Sequence, residues 1–249
     1  MRTFGLIGYP LTHSFSKKYF LKKFKDEVIT DAEYLNFPIR HINEFKEIIN
    51  SDKNFAGFNV TSPYKQEIIP FLDELDSSAQ KINAVNVIKI TEKNKRKYLK
   101  GYNTDIYGFR ESLKKKMNPE IKNALILGTG GAAKAVSCAL KNLNVNYKFV
   151  SRKEKYHEKF ISYKKLNKDI ISENLLIVNA TPLGIYPRIN QKPDIPYSFL
   201  SEKHHLFDLI YNPSQTLFLT EGKKRGAKIQ NGLEMLHLQA EKAWKIFCE

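Results

Sequence analysis

Cysteine is nearly absent. Cys138 and Cys248 are the only two in 249 residues, and neither has metal-ligand spacing around it. That argues against a disulfide-stapled secreted scaffold and a thiolate zinc site, and it fits a cytoplasmic, thiol-reduced protein. Long apolar runs are missing too. Ala124-Leu125-Ile126-Leu127 and Leu175-Leu176-Ile177-Val178 are far too short to cross a bilayer. The opening residues, Met1 to Gly8, read as a short strand meeting a glycine turn, without the long apolar segment of a signal peptide. No repeat and no low-complexity linker is visible. His13 has no apparent partner and reads as structural; the other five histidines show no metal spacing, and nothing resembles a Ser/His/Asp arrangement.

Acidic residues are few beside basic ones, 26 against 41, for a formal net charge of +15. Such a balance raises the question of a nucleic-acid partner. The lysines are scattered, however, with small clusters only at 93–97, 114–116 and 223–225, and read as solvated faces. Their positive field helps to attract anionic ligands without identifying them. Neither a nucleic-acid nor a membrane partner is expected. A hydrophobic fraction of 42% suits a globular chain with one large core or two modest ones.

Strand-like and helix-like segments alternate throughout, which predicts α/β architecture. Strands are expected over 3–7, 34–37, 55–60, 84–90 and 98–100, and helices over 16–25, 43–49 and 63–72, with 91–97 as a hairpin tip. A helix over 104–117 places Ile106, Phe109, Leu113 and Met117 near one face, and Asn118-Pro119 ends it. From residue 121 the order becomes strand 124–127, glycine loop, helix 130–143 and strand 147–150, a dinucleotide-binding unit. Strands over 175–179 and 206–209 continue the sheet. A last helix over 232–247, with Leu233, Leu236, Ala240 and Trp244 at helical spacing, is expected to pack back on the N-terminal part. The expected organisation is two lobes around a deep cleft: a substrate-binding domain over 1–103 completed by 232–249, and a Rossmann-type nucleotide domain over 104–231.

Three sets of residues carry chemistry. In Gly128-Thr129-Gly130-Gly131-Ala132-Ala133 the glycines let backbone N–H groups approach a pyrophosphate at a helix N-terminus. An NAD-preferring loop usually has an acidic residue about 20 positions on. Here Ser151-Arg152-Lys153 offers two cations and no carboxylate, so the cofactor is expected to be NADP(H). In Asn59-Val60-Thr61-Ser62-Pro63-Tyr64-Lys65, Ser62 can cap a helix with Pro63 at its first position. Lys65 would then sit in the first turn, where the helix dipole disfavours extra positive charge. Asp105, in Gly101-Tyr102-Asn103-Thr104-Asp105, is a candidate carboxylate partner. Asn59, Thr61, Asn103 and Thr104 add uncharged hydrogen-bonding groups that suit a polyhydroxylated substrate. In the turn from Gly8 to Ser16, Ser14 and Ser16 either bind a carboxylate or cap the following helix.

With these motifs in this order, the chain resembles the shikimate dehydrogenase family from about residue 4 to 244. The match continues through Ala84-Val85-Asn86, Asn179-Ala180-Thr181-Pro182-Leu183-Gly184, Asp208-Leu209-Ile210-Tyr211-Asn212-Pro213, Gly232-Leu233-Glu234-Met235-Leu236 and Gln239. The resemblance implies NADP-dependent, reversible reduction of 3-dehydroshikimate to shikimate by a monomer or homodimer. It implies that Ser14, Ser16 and Tyr211 hold the substrate carboxylate, and that Thr61, Lys65, Asn86, Asp105 and Gln239 contact the hydroxyls and the reacting oxygen. Lys65 and Asp105 would be the catalytic pair. Gly128, Thr129, Gly130, Gly131, Ala132, Ser151, Arg152, Lys153, Thr181, Leu209 and Gly232 would line the cofactor groove. The chain departs from the family at Lys17 (commonly Pro), Asn83 (usually Gly), Ser151-Arg152-Lys153 (usually Asn-Arg-Thr) and Ile185 (commonly Met). Two alternatives stand beside this reading: a quinate/shikimate dehydrogenase that uses NAD, and a non-catalytic NADP-binding regulator.

Overall fold

Twelve strands of two to seven residues, most with an apolar centre, form two separate sheets among the described residues. A computed structural model describes residues 1–11, 14–51, 53–152 and 157–249. These divide into two units, Met1–Thr104 with Ala240–Glu249, and Asp105–Gln239. His13 and Lys153 lie outside the described residues. No helix among the described residues is long and apolar enough to cross a membrane.

The first unit runs β1 (Arg2–Gly8), α1 (Phe15–Asp26), β2 (Ala32–Pro38), α2 (Glu44–Ile49), β3 (Phe55–Val60), β4 (Glu74–Leu75), α3 (Ser77–Ile82), β5 (Val87–Lys93) and β6 (Arg96–Tyr102). Its sheet has the order β2-β1-β3-β5-β6-β4; β1 is parallel to β2 and β3, and β5 is antiparallel to β3 and β6. Alternation along the strands divides the core. Ile7, Val60, Ile88 and Ile90 join Phe45 and Ile68 in one cluster; Phe4, Leu6 and Val87 join Phe20, Phe24 and Tyr34 in another. The second cluster also contains Ala240, Ala243, Ile246 and Phe247, and the Phe247 ring lies 4.9 Å from Phe4.

The α-helix expected over 63–72 does not form. Residues 62–68 make a series of turns, followed by a short 3₁₀ helix, Ile69–Phe71. Two causes are visible. Pro70 has no N–H to give to the Gln66 carbonyl, which accepts from Ile69 instead, and the Lys65 carbonyl accepts from Val85 at 2.7 Å. Ser62 therefore caps no helix, and the dipole argument for Lys65 falls with it. β4 and α3 were not expected, and β5 begins at Val87 rather than 84. Asn83 ends α3 in the left-handed region at φ 52°, ψ 49°, a conformation that glycine and asparagine tolerate best, so its exchange for the usual glycine keeps the turn. The hairpin tip is tighter than the expected 91–97. It is Asn94-Lys95, both at positive φ.

The second unit runs α4 (Asp105–Lys114), β7 (Asn123–Leu127), α5 (Gly131–Asn142), β8 (Asn146–Ser151), β9 (Phe160–Ser162), α6 (Lys168–Glu173), β10 (Leu176–Asn179), β11 (His205–Asp208), α7 (Leu217–Lys224), β12 (Lys228–Gln230) and α8 (Leu233–Cys248), whose residues from Ala240 belong to the first unit. Every strand pair is parallel, in the order β12-β11-β10-β7-β8-β9. This is the doubly wound order, with its switch point between β7 and β10. Residues 124–127 and 176–178 are wholly buried, as central parallel strands require. β9, α6, α7 and β12 were not expected. In α8 the buried residues are Gln239, Ala240, Ala243, Ile246 and Phe247, whereas Leu233 of the expected stripe is 42% exposed.

Candidate active site

In the first unit the parallel register pairs Ile7 with Val60, so the turns after β1 and β3 leave the same edge of the sheet. Backbone bonds hold them together: Thr61 N–H donates to Ile7 and Tyr9 N–H to Ser62. Ser14 stands at the N-cap of α1, its hydroxyl accepting from Lys17 N–H at 3.5 Å, and Ser16 follows in the first turn, half-buried. Lys17, not being proline, has the N–H this cap uses. Lys65 and Thr61 are half-buried in the turn after β3.

Asn86 reaches this edge because β5 runs antiparallel to β3, with Val60 N–H donating to the Asn86 carbonyl at 2.9 Å. Its side-chain oxygen accepts from Thr104 N–H at 2.8 Å, and its amide donates to the Thr104 hydroxyl at 3.0 Å. Asn103 donates to the Ala84 carbonyl at 3.0 Å. Asn59 is buried, accepts from the Tyr34 hydroxyl at 2.7 Å and donates to the Asn86 carbonyl. The Asn59 side chain, one of the uncharged groups set beside Lys65, ties β2 and the start of β5 to β3. Ser14, Ser16, Thr61, Lys65 and Asn86 thus share one sheet edge, and Asp105 follows Thr104 directly as the first residue of α4.

In the second unit Gly128 leaves β7 at φ +105°, a conformation that disfavours other residues, with its N–H on the Val150 carbonyl. A Cβ there would lie 3.1 Å from the Ala180 carbonyl oxygen, so the turns after β7 and β10 adjoin at the switch point. Gly130 is the N-cap of α5 and supplies no side chain to its first turn. A Cβ at Gly130 or Gly131 would meet nothing within 4 Å. An open helix N-terminus with unencumbered backbone is what a dinucleotide pyrophosphate needs, and Thr129 and Ala132 belong to the same turn. Ser151 ends β8, and exposed Arg152 follows. The Arg152 charge reaches Tyr163, whose burial pushes its phenol up to about 12 while Arg152 opposes the rise. No carboxylate stands at 151–152, so these residues fit a 2′-phosphate.

Thr181, Leu209, Tyr211 and Gly232 lie around the ends of β10 and β11. Thr181 bonds Asn179 Oδ1 through both its N–H at 3.0 Å and its hydroxyl at 2.7 Å. At Gly232 a Cβ would stand 2.1 Å from the Leu209 carbonyl oxygen, so only glycine fits. Tyr211 is half-buried, which raises its phenol. Gln239 is buried, with its amide on the Leu236 carbonyl at 3.1 Å. Ile185 is 41% exposed.

The residue-level reading gave no role to three side chains beneath these turns. Asn179 and Asp208, wholly buried, and Thr216, 1% exposed, form one hydrogen-bonded group. Their signal was a polar residue closing each of two apolar strands, Leu176–Asn179 and His205–Asp208. Among the described residues no group of three or more His, Cys, Asp or Glu is placed to hold a metal ion.

Residues 6–88 match the model of the shikimate dehydrogenase substrate binding domain. A shikimate dehydrogenase (NADP(+)) of Methanosphaera stadtmanae is 38% identical over 98% of this chain and 90% of its own length. One from Clostridium beijerinckii is 40% identical over 100% and 93%. A crystal structure of shikimate dehydrogenase in complex with NADP+ superposes with a TM-score of 0.86 at 36% identity, covering 99% of this chain and 90% of the other. The Thermus thermophilus enzyme in complex with NADP(H) and shikimate gives 0.83 at 29%, covering 99% and 93%. The chain belongs to the shikimate dehydrogenase family.

Proposed function

We propose that this chain catalyses the reversible, NADPH-dependent reduction of 3-dehydroshikimate to shikimate, on the route to chorismate and the aromatic amino acids. The observation that carries the reading is identity of about 38%, over nearly the whole chain, to relatives named as NADP(+)-dependent shikimate dehydrogenases. Lys65 and Asp105 are both present, which argues against a non-catalytic regulator.

Bound NADPH supplies the hydride for the C3 carbonyl. Lys65 stabilises and protonates the oxygen that becomes the C3 hydroxyl. Asp105 orients Lys65 and accepts a hydrogen bond from a substrate hydroxyl. Ser14, Ser16 and Tyr211 hold the carboxylate; Thr61, Asn86 and Gln239 bind the remaining oxygens. The backbone from Gly128 to Ala132 receives the pyrophosphate, and Ser151, Arg152 and Lys153 receive the adenosine end with its 2′-phosphate. Thr181, Leu209 and Gly232 bound the nicotinamide end. A cytoplasmic location and a monomer or homodimer complete the reading; free Cys138 and Cys248 accord with a reducing compartment.

The test is NADP+ reduction followed at the nicotinamide absorbance with shikimate, repeated with NAD+ and with quinate. The account expects shikimate with NADP+ to give the highest kcat/KM. A preference for quinate with NAD+ would replace it with the neighbouring specificity.

A further inference from the structure

Three buried side chains in the second unit are hydrogen-bonded into one group that no step of the proposed mechanism uses. Asp208, the last residue of β11, is wholly buried and accepts from three donors: Thr216 Oγ1 at 2.6 Å, Asn179 Nδ2 at 3.0 Å and Ile210 N–H at 3.0 Å. Asn179, the last residue of β10, also donates to the Leu183 carbonyl at 3.2 Å and accepts twice from Thr181. Thr216 is the N-cap of α7, accepting from Leu219 N–H at 3.4 Å. One carboxylate therefore holds the turn after β10, the turn after β11 and the start of α7.

Burying a carboxylate without a cation is costly, and three hydrogen bonds offset only part of the cost. Burial, the largest influence, pushes Asp208 up to about 6 against the three bonds that oppose it. An apolar residue of similar size would fill the site at less cost, yet it would leave Asn179, Ile210 N–H and Thr216 without their acceptor. The position therefore calls for an acceptor on both carboxylate oxygens rather than for filling.

We propose that Asp208 is a positioning residue for hydride transfer, fixing through Asn179 and Ile210 the two turns that carry Thr181 and Leu209 to Tyr211. The inference rests on the reading that these turns bound the nicotinamide end. It has a specific consequence. The cofactor's adenosine and pyrophosphate anchors, Gly128 to Ala132 and Arg152, lie on other turns. Loosening the Asp208 group should leave cofactor affinity nearly intact and misalign the reacting end. Small misplacements of reacting groups are expensive in rate, about 10²-fold for an ångström.

The experiment compares Asp208→Asn, Thr216→Val and Thr216→Ser with the wild-type protein. It measures kcat and KM for shikimate oxidation, the NADPH dissociation constant by fluorescence, and thermal unfolding. Asp208→Asn puts a donor where Asp208 accepts; Thr216→Val removes one donor, and Thr216→Ser keeps it. The expected result is a kcat lower by about 10- to 100-fold in Asp208→Asn and Thr216→Val, NADPH affinity within about threefold of wild type, and recovery of kcat in Thr216→Ser. A lowered melting temperature with unchanged kcat in Thr216→Val, or in a folded Asp208→Asn, would overturn the positioning role alone. A wild-type protein that binds NADPH but does not oxidise shikimate would overturn the functional reading, and the inference with it.

Discussion

At the scale of single residues, the proposed function rests on Lys65, and the backbone around it sets the geometry. Its carbonyl accepts from Val85 N–H, which anchors the turn, and the proposed role of the ammonium is to meet the reacting oxygen. A positioned proton donor contributes on the order of 10² to 10⁴ in rate, so Lys65→Met should lower kcat by about that factor and leave KM less affected. Arg152→Ala should raise KM for NADP(H) far more than for NAD(H), because only the former has the 2′-phosphate; equal changes would remove Arg152 from that role. Gly232→Ala is expected to damage the protein out of proportion to one methyl group. Its Cβ would overlap the Leu209 carbonyl, and the turn after β11 would have to move. Chemical denaturation and NADPH titration of this variant read the two consequences separately.

Elements show where sequence patterns suffice and where they do not. β7 and α5 were legible because a strand apolar from Ala124 to Leu127, a glycine loop and an alanine-rich helix each agree with their neighbours. The turn carrying Lys65 is not the helix that Ser62-Pro63 suggests, because that local signal is overruled. Pro70 and the Lys65–Val85 bond decided it, and the second of these is a contact between distant parts of the sequence. Short elements such as β4, β9 and β12 owe their assignment to sheet partners, which no periodicity reveals. The Asn179–Asp208–Thr216 group was hidden for the same reason: its members are 29 and 8 residues apart and meet only in the folded sheet. At the end of α3 the left-handed Asn83 makes a local prediction. Asn83→Ala should lower stability by about 1 kcal/mol while Asn83→Gly stays near wild type, as measured by urea denaturation; equal losses would contradict the conformational argument.

Across the whole molecule, two buried groups change stability in opposite directions as the pH falls. His205 is 2% exposed, and burial, aided by the charge of Lys228 and opposed by Gln230, pushes it down to about 4. The unfolded chain takes up that proton first, so stability is lost as the pH falls from about 6.5 towards 4. Asp208 works in the other direction. With its folded value near 6, above an ordinary 3.8, the native state takes the proton first and gains stability as the pH falls from about 6 to 4. The two effects offset each other over that window. Replacing His205 by Leu should expose the imbalance: the variant's unfolding free energy, relative to wild type, should rise by on the order of 1 kcal/mol per pH unit between 6 and 4. A difference independent of pH would show that His205 is not buried in its neutral form.

The protein is proposed to oxidise shikimate with NADP+, with Lys65 handling the proton. The most direct measurement is the steady-state rate of NADP+ reduction by shikimate, wild type beside Lys65→Met, with NADPH binding measured on both. The account predicts an active wild type, a variant slower by about 10² to 10⁴ in kcat, and equal NADPH affinity. A Lys65→Met variant with near-normal kcat would contradict it.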